Sequence, residues 1–174
     1  VEKIDSIHRT INYLQYGKEA RITYDKLIIA TGSSQLSQKI SGSDGENVLR
    51  YKRHHEAEDA LSKIDASKSV TIIGGGQVGV EAADLLSKQQ KQVTLIENMD
   101  YVLFKYFDKE MIQPLQQKML EQGIDLRLNQ TVSSIESEAD QTATIRFGNE
   151  MVKSDAVILG VNVRPDLHFL DEHI

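Results

Sequence analysis

Hydrophobic and polar positions alternate in three short runs near the N-terminus. Residues 1–5, Thr10–Gln15 and 20–24 each read as a half-buried strand, with Tyr16-Gly17-Lys18-Glu19 as the turn between the last two. Residues 27–30 differ: they form a continuous apolar run, expected of a strand buried on both faces, and the run ends at Thr31-Gly32. Residues 33–46 shift to Ser, Gln, Gly and Asp and predict a connecting loop. Residues 51–64 then take a helical period, with Ala57, Ala60, Leu61 and Ile64 on one face.

The clearest pattern follows. Residues 70–73 are an apolar run rich in β-branched side chains, and Gly74-Gly75-Gly76-Gln77-Val78-Gly79 comes directly after it. Residues 78–90 predict a helix with Val78, Ala82, Leu85 and Leu86 inward, and 93–96 predict a second buried strand closed by Glu97. Strand, glycine turn, helix and strand in about 30 residues is a βαβ unit. Beyond it, 108–122 predict a helix with Asp108 as N-cap, Met111, Leu115, Met119 and Gln122 on one side, and Gly123 as its stop. Residues 124–128 predict a strand. Residues 131–137 and Ala143–Phe147 predict an antiparallel pair around a polar turn at 138–141, and 150–153 add a third short strand. Ala156–Leu159 predicts a final buried strand. Strands alternating with helices, then a β-meander, then a returning strand indicate an α/β fold with an open, parallel sheet.

The glycine run is where chemistry enters. In Gly74-x-Gly76-x-x-Gly79 each glycine has a physical role. Gly74 permits the tight turn, Gly76 lets a pyrophosphate approach the backbone, and Gly79 lets helix and strand pack closely. The helix that follows offers free N–H groups and a partial positive charge to phosphates, and Gln77 and Val78 join the glycines as candidate cofactor-binding residues. Glu97 stands at the end of the second strand, about 20 positions after Gly76, where a carboxylate accepts from both hydroxyls of an adenine ribose. A carboxylate there repels a 2′-phosphate, and the adjoining Asn98 and Met99 supply no Arg, so the pattern favours NAD(H) over NADP(H). The alternative for Glu97 is a solvated strand end. Glu81 has two readings, an anion complementing the helix dipole on the first turn or a residue facing the nicotinamide, and the sequence leaves both open.

The composition narrows the remaining possibilities. The 174 residues contain no Cys and carry a formal net charge of −6, which removes disulfides and thiolate metal sites and argues against a nucleic-acid partner. No apolar run approaches a membrane span, and the N-terminus lacks the pattern of a signal peptide. His54-His55 are adjacent and point apart on a helix, so no metal site is expected. No Ser/His/Asp arrangement is readable, and no catalytic residue is expected in these residues. The chain starts at Val and reads as a fragment of a larger protein.

Four segments, in order, carry a resemblance. Tyr24-Asp25-Lys26-Leu27-Ile28-Ile29-Ala30-Thr31-Gly32-Ser33, the glycine run with its trailing Val80-Glu81, Val93-Thr94-Leu95-Ile96-Glu97, and Tyr106-Phe107-Asp108-Lys109-Glu110-Met111 resemble the pyridine nucleotide–disulfide oxidoreductases. The last is similar to the branch of NADH oxidases, NADH peroxidases and coenzyme A–disulfide reductases. The resemblance implies a Rossmann-like, three-layer NAD-binding domain with parallel sheet and β-meander, preceded by short strands from the end of an FAD domain. The implied division is 1–33 for those strands, 34–68 for a connecting loop and helix, 69–164 for the NAD-binding domain and 165–174 for the return to the FAD domain. It implies that Gly74, Gly76, Gly79 and Glu97 hold the ADP half of NADH, that Glu81 lies near nicotinamide and flavin, and that Ala30, Thr31 and Gly32 face FAD. Asn162 and Asp166 depart from the family's G-x-R-P-N pattern at the Gly and final Asn positions, and Asn162 would lie on the nicotinamide side. The implied parent is a cytoplasmic flavoprotein, a homodimer through a domain absent here, that passes hydride from NADH to FAD and on to oxygen, peroxide or a disulfide. The competing expectation is a non-catalytic module that binds or senses adenine nucleotides.

Overall fold

The computed structural model describes residues 1–35, 40–49, 54–160, 163–165 and 167–170, and falls into two compact units. The first unit takes residues 1–35 and the residues from 163 onward. Strands β1 (Lys3–Asp5), β2 (Thr10–Gln15) and β3 (Lys18–Thr23) form an antiparallel sheet in chain order. The turn between β2 and β3 is shorter than the sequence predicts: Lys18 and Glu19 pair with Gln15 and Leu14, which leaves a two-residue turn at Tyr16-Gly17. Strand β4 (Ser33–Gln35) lies in the stretch predicted as loop and pairs with β13 (Val163–Pro165), a partner remote in sequence that local composition cannot announce. Residues 27–30 are a correction. They form no strand, and Ile28 is 89% exposed. An apolar run becomes a buried strand only beside neighbours that complete its hydrogen-bond ladder, and no described strand pairs with this one.

The second unit, Leu36–Asn162, holds a five-stranded parallel sheet. Its strands are β5 (Val48–Leu49), β6 (Ser69–Ile73), β7 (Gln92–Ile96), β8 (Asp125–Arg127) and β12 (Ala156–Leu159), in the order β5-β12-β6-β7-β8. Helices α1 (His54–Ala66), α2 (Gln77–Lys88) and α3 (Lys109–Glu121) contribute Ala60, Ala83, Leu86, Ile112 and Met119 to one apolar cluster, with Val70, Ile72, Val93, Leu95 and Ile158 from the sheet. The meander β9 (Val132–Ser137), β10 (Ala143–Phe147) and β11 (Glu150–Ser154) fills a second cluster on the other face, where Ile135, Ile145 and Phe147 meet Ile73, Ile96, Val157 and Leu159. Alternate side chains of each central strand therefore enter different clusters. This is why those strands read as unbroken apolar runs, and it makes the unit three layers: helices, parallel sheet, meander.

The helices form where the period places them, and Ala60, Ile64, Ala82, Leu86, Leu115 and Met119 reach the cluster as expected, but one edge of each predicted face turns outward. Helix α2 buries Gly79, Val80, Ala83 and Leu86, whereas Val78 and Leu85 of the expected face are 47% and 61% exposed. In α1 it is Ala60 that is buried while Leu61 faces out, and in α3 Ile112 replaces the exposed Met111. Asp108 stands at the N-cap of α3 without a side-chain capping bond, and Gly123 donates its N–H to Leu120 as the helix stops.

Asp155, between β11 and β12, ties the edge of the meander to the start of β6. Its Oδ2 accepts from the Lys68 and Ser69 N–H groups, both at 2.8 Å, and from the Ser69 hydroxyl at 3.0 Å. The Ser69 backbone N–H, followed by the other donors, holds its carboxyl below the ordinary aspartate value of 3.8. A depressed carboxyl stabilises the fold above its unfolded value and loses that contribution as pH falls through the folded one. Asp155→Ala is expected to lower stability by about 1 kcal/mol at pH 7, allowing for solvent screening. In urea titrations the gap from the parent chain should close as pH drops below 3.8.

Candidate functional site

The sheet order places the C-terminal end of β6 between β7 and β12, the point where the chain's progression across the sheet reverses. In open α/β sheets that crevice is where ligands sit. The glycine run occupies it. Gly74 continues the ladder by donating to the Ile96 carbonyl at 2.8 Å, then turns with φ +108°, a conformation that favours glycine. Gly79, in the first turn of α2, lies against it: a Cβ there would come within 1.9 Å of the Gly74 carbonyl oxygen and 3.4 Å of Ile72 Cγ2. This contact sets the phase of α2, since Ala83 and Leu86 follow Gly79 on the same face and Val78 and Leu85 are carried outward.

Gly76 is the N-cap of α2, with extended backbone and no side-chain capping bond. A Cβ on Gly76 would meet nothing within 4 Å. The first helical N–H groups, of Gln77, Val78 and Gly79, have no carbonyl within the helix to reach, and they stand at the positive end of the helix dipole. An anionic group fits there against bare backbone. Gln77 is exposed, and its Nε2 donates to Glu81 Oε1 at 3.4 Å. Glu81 is the fifth residue of α2, in its second turn and not its first as the sequence reading has it, and it is exposed.

Glu97 follows β7 and is 5% exposed, so it is not a solvated strand end. Its Oε2 accepts from the Gly75 N–H at 2.5 Å and its Oε1 from the Met99 N–H at 2.9 Å. The next segment returns to the same turn: the Leu103 N–H donates to the Gly75 carbonyl at 2.7 Å, and fully buried Val102 donates its own N–H to Gln116 Oε1 of α3 at 3.1 Å. Gly74, Gly76, Gln77, Val78, Gly79 and Glu97 are thus brought together in one crevice. Ala30, Thr31 and Gly32 belong to the first unit, where all three are exposed and Gly32 has φ +72°. Asn162, Asp166 and His173 lie outside the described residues, as do the side chains of His54 and His55. Among the described residues no group of acidic and histidine side chains could hold a metal ion, and no helix is long and apolar enough to cross a membrane.

Sequence reasoning misses Gly160. Its N–H donates to the Ile73 carbonyl at 2.8 Å, and a Cβ there would lie 3.1 Å from the Gly74 oxygen and 3.2 Å from Gly79 Cα. The available signal is a glycine directly after the buried run Ala156–Leu159, where a branched residue would otherwise continue the strand. The roles of Val102 and Leu103 leave no such signal.

The family model for pyridine nucleotide-disulphide oxidoreductase matches residues 1–174. An NADH oxidase of Enterococcus faecalis is 31% identical over 177 residues, covering 100% of this chain and 40% of the relative. The water-forming NADH oxidase of Lactobacillus brevis, solved bound to NADH, superposes with a TM-score of 0.86 at 30% identity over 96% of this chain and 37% of that one. A five-substitution mutant of the same enzyme, engineered as an NADPH oxidase and solved with NADPH, gives 0.86 at 29% identity, again over 96% of this chain and 37% of its own. The chain thus spans about 40% of the length of the curated relative.

Two glycines of the turn should respond differently to a methyl group. Gly79→Ala is expected to cost about 2 kcal/mol or more by forcing α2 from β6, whereas Gly76→Ala, with room for its Cβ, should cost no more than about 1 kcal/mol. Thermal unfolding of the two variants beside the parent chain measures the difference.

Proposed function

Because the chain belongs to the pyridine nucleotide-disulphide oxidoreductase family, in its NADH oxidase branch, we propose that its second unit binds NAD(H) for an FAD-dependent oxidoreductase. The observation that carries this reading is the crevice at the end of β6, where an unobstructed helix N-terminus stands beside a buried carboxylate. The N–H groups of Gln77, Val78 and Gly79 take the pyrophosphate, and Gly76 lets it reach the backbone. Glu97 accepts from the ribose hydroxyls with lone pairs its two backbone bonds leave over, since an ionised carboxylate has about four acceptor sites. Exposed Glu81 is assigned to the nicotinamide side, and Asn162 is assigned there by the family resemblance alone. Bound there, NADH supplies a hydride that FAD takes up and passes to oxygen, peroxide or a disulfide in the whole protein. This chain's own part is to orient the dinucleotide and keep water from it. Ala30, Thr31 and Gly32 lie on the FAD side, in the segment that leads to residue 33 at the end of an FAD domain, and the NAD-binding domain runs from 69 to the end of the second unit. The whole protein is a cytoplasmic homodimer, and the chain alone binds NADH without turnover.

The engineered relative supports the assignment of Glu97. Its substituted glycine and the first of its three consecutive substitutions are separated by the interval between Gly79 and Glu97, and that run replaces an aspartate and introduces an arginine. On that spacing we match the run to Glu97, Asn98 and Met99. The competing reading, an adenine-nucleotide module without redox chemistry, makes a different prediction about the nicotinamide half.

Calorimetric titration of the chain with NADH, NADPH and ADP-ribose separates them. NADH should bind at least about tenfold more tightly than NADPH, and Glu97→Ala with Asn98→Arg should invert that ratio. Equal affinity for NADH and ADP-ribose would favour the sensing module. A chain that binds none of the three defeats the nucleotide reading altogether.

A further inference from the structure

Gly75 is the one member of the glycine run to which the dinucleotide fingerprint gives no role, yet both polar atoms of its backbone are engaged. Its N–H, in the peptide it shares with Gly74, donates to Glu97 Oε2 at 2.5 Å. Its carbonyl, in the peptide it shares with Gly76, accepts from the Leu103 N–H at 2.7 Å. There is also no room for a side chain, because a Cβ on Gly75 would stand 2.9 Å from Val102 Cγ1 and 3.1 Å from both Cγ and Oε2 of Glu97. Three consecutive glycines have more backbone freedom than any other tripeptide, so they hold one conformation only if groups outside the run fix their peptide planes. Here the fixing groups are a carboxylate at the end of β7 and a backbone N–H in the segment that precedes α3.

Taking the crevice as a nucleotide site, as proposed above, we infer that Glu97 is also a positioning residue for the phosphate-binding turn. By holding the Gly75 N–H it orients the peptides that run from Gly75 into the first turn of α2. Its charge therefore supports the pyrophosphate end of the site as well as the ribose end. Three observations point the same way. The carboxylate is buried, each of its oxygens already accepts from a backbone N–H, and the second of those, from Met99, anchors the carboxylate to its own strand end and thereby fixes where it meets Gly75. The opposite side of Gly75 is braced independently, since Leu103 is held in place by Val102 and Gln116 of α3. A ligand for ribose alone needs none of these contacts.

Glu97→Gln tests this without changing side-chain volume: the amide keeps one acceptor and turns a donor toward the Gly75 or Met99 N–H. The chain and its variant are titrated with NADH and with an analogue lacking both hydroxyls on the adenine-side ribose. The substitution should weaken both ligands by about tenfold or more, because the loss is made at the turn. Equal binding of the analogue to parent and variant would overturn the inference and leave Glu97 a ribose ligand only. Amide NMR of the ligand-free chain gives a second arm that does not depend on nucleotide binding. In the variant the Gly75 amide proton should move upfield, and the amides of Gly76, Gln77 and Gly79 should shift with it while those of Ser87 and Lys88 stay in place. Shifts confined to Gly75 would overturn the inference. Failure of the parent chain to bind either ligand defeats the nucleotide reading, and the amide shifts then decide the positioning role by themselves.

Discussion

Three stretches of backbone meet at the C-terminal end of β6 with no side chain between them. Gly74 leaves the strand there, Gly79 opens α2 against it, and Gly160 leaves β12 beside both. The rest of the second unit is arranged around that contact. It fixes how close α2 lies to the sheet and which of its faces is inward, and so which residues reach the apolar cluster beneath the helices. It also leaves the N-terminal end of α2 bare. A helix start that packs its third residue onto a strand and caps itself with glycine keeps its free N–H groups unobstructed, and that is the property an anion site requires.

The second unit's order of elements was legible because each central strand feeds two cores. Unbroken apolar runs at 70–73, 93–96 and Ala156–Leu159, interrupted by helical periods, have few other solutions. The phase of α2 was not legible in the same way. Periodicity alone turns Val78, Ala82, Leu85 and Leu86 inward, and of these only Leu86 is buried while Ala82 packs against the cluster. The structure instead turns in Gly79 and Ala83, because close approach of two backbones favours small residues over large ones. Residues 27–30 and 33–35 failed for a related reason. Whether a short apolar or polar run becomes a strand depends on partners that lie far away in sequence, such as β13 for β4, and local pattern contains no information about them. Within the crevice, the glycines and Glu97 followed from spacing. Gly160, Val102 and Leu103 belong to the same arrangement but reach it from other strands and loops.

Glu97 answers to two demands. A carboxylate that favours ribose hydroxyls over a phosphate must be close to the ligand. A carboxylate that keeps the Gly75 N–H satisfied must be close to the turn, and a buried donor left without its acceptor costs about 1–3 kcal/mol. On the proposed reading one side chain meets both, because each oxygen takes one backbone bond and lone pairs remain for a ligand. The consequence is that cofactor preference and the shape of the turn are coupled through a single side chain. A substitution that alters the first also disturbs the second, and absolute affinity and selectivity need not move together.

That coupling bears on how an acidic chain can attract an anionic dinucleotide. The formal net charge is −6, Glu97 stands at the turn, and the glycine run itself supplies no cation. Long-range steering by the overall charge therefore works against binding, although at physiological ionic strength it fades over about 8 Å. Attraction must come from short range, where the partial positive charge of the α2 N-terminus and its unpartnered N–H groups act within one turn of the helix. The Glu97 charge is partly neutralised, as seen from the crevice, by the two N–H dipoles directed at it. The net field at the turn is then that of oriented peptides, not of ions. A site built this way accommodates a pyrophosphate whose charge lies against the backbone. On the proposed reading, an additional phosphate placed next to the carboxylate would meet its charge directly.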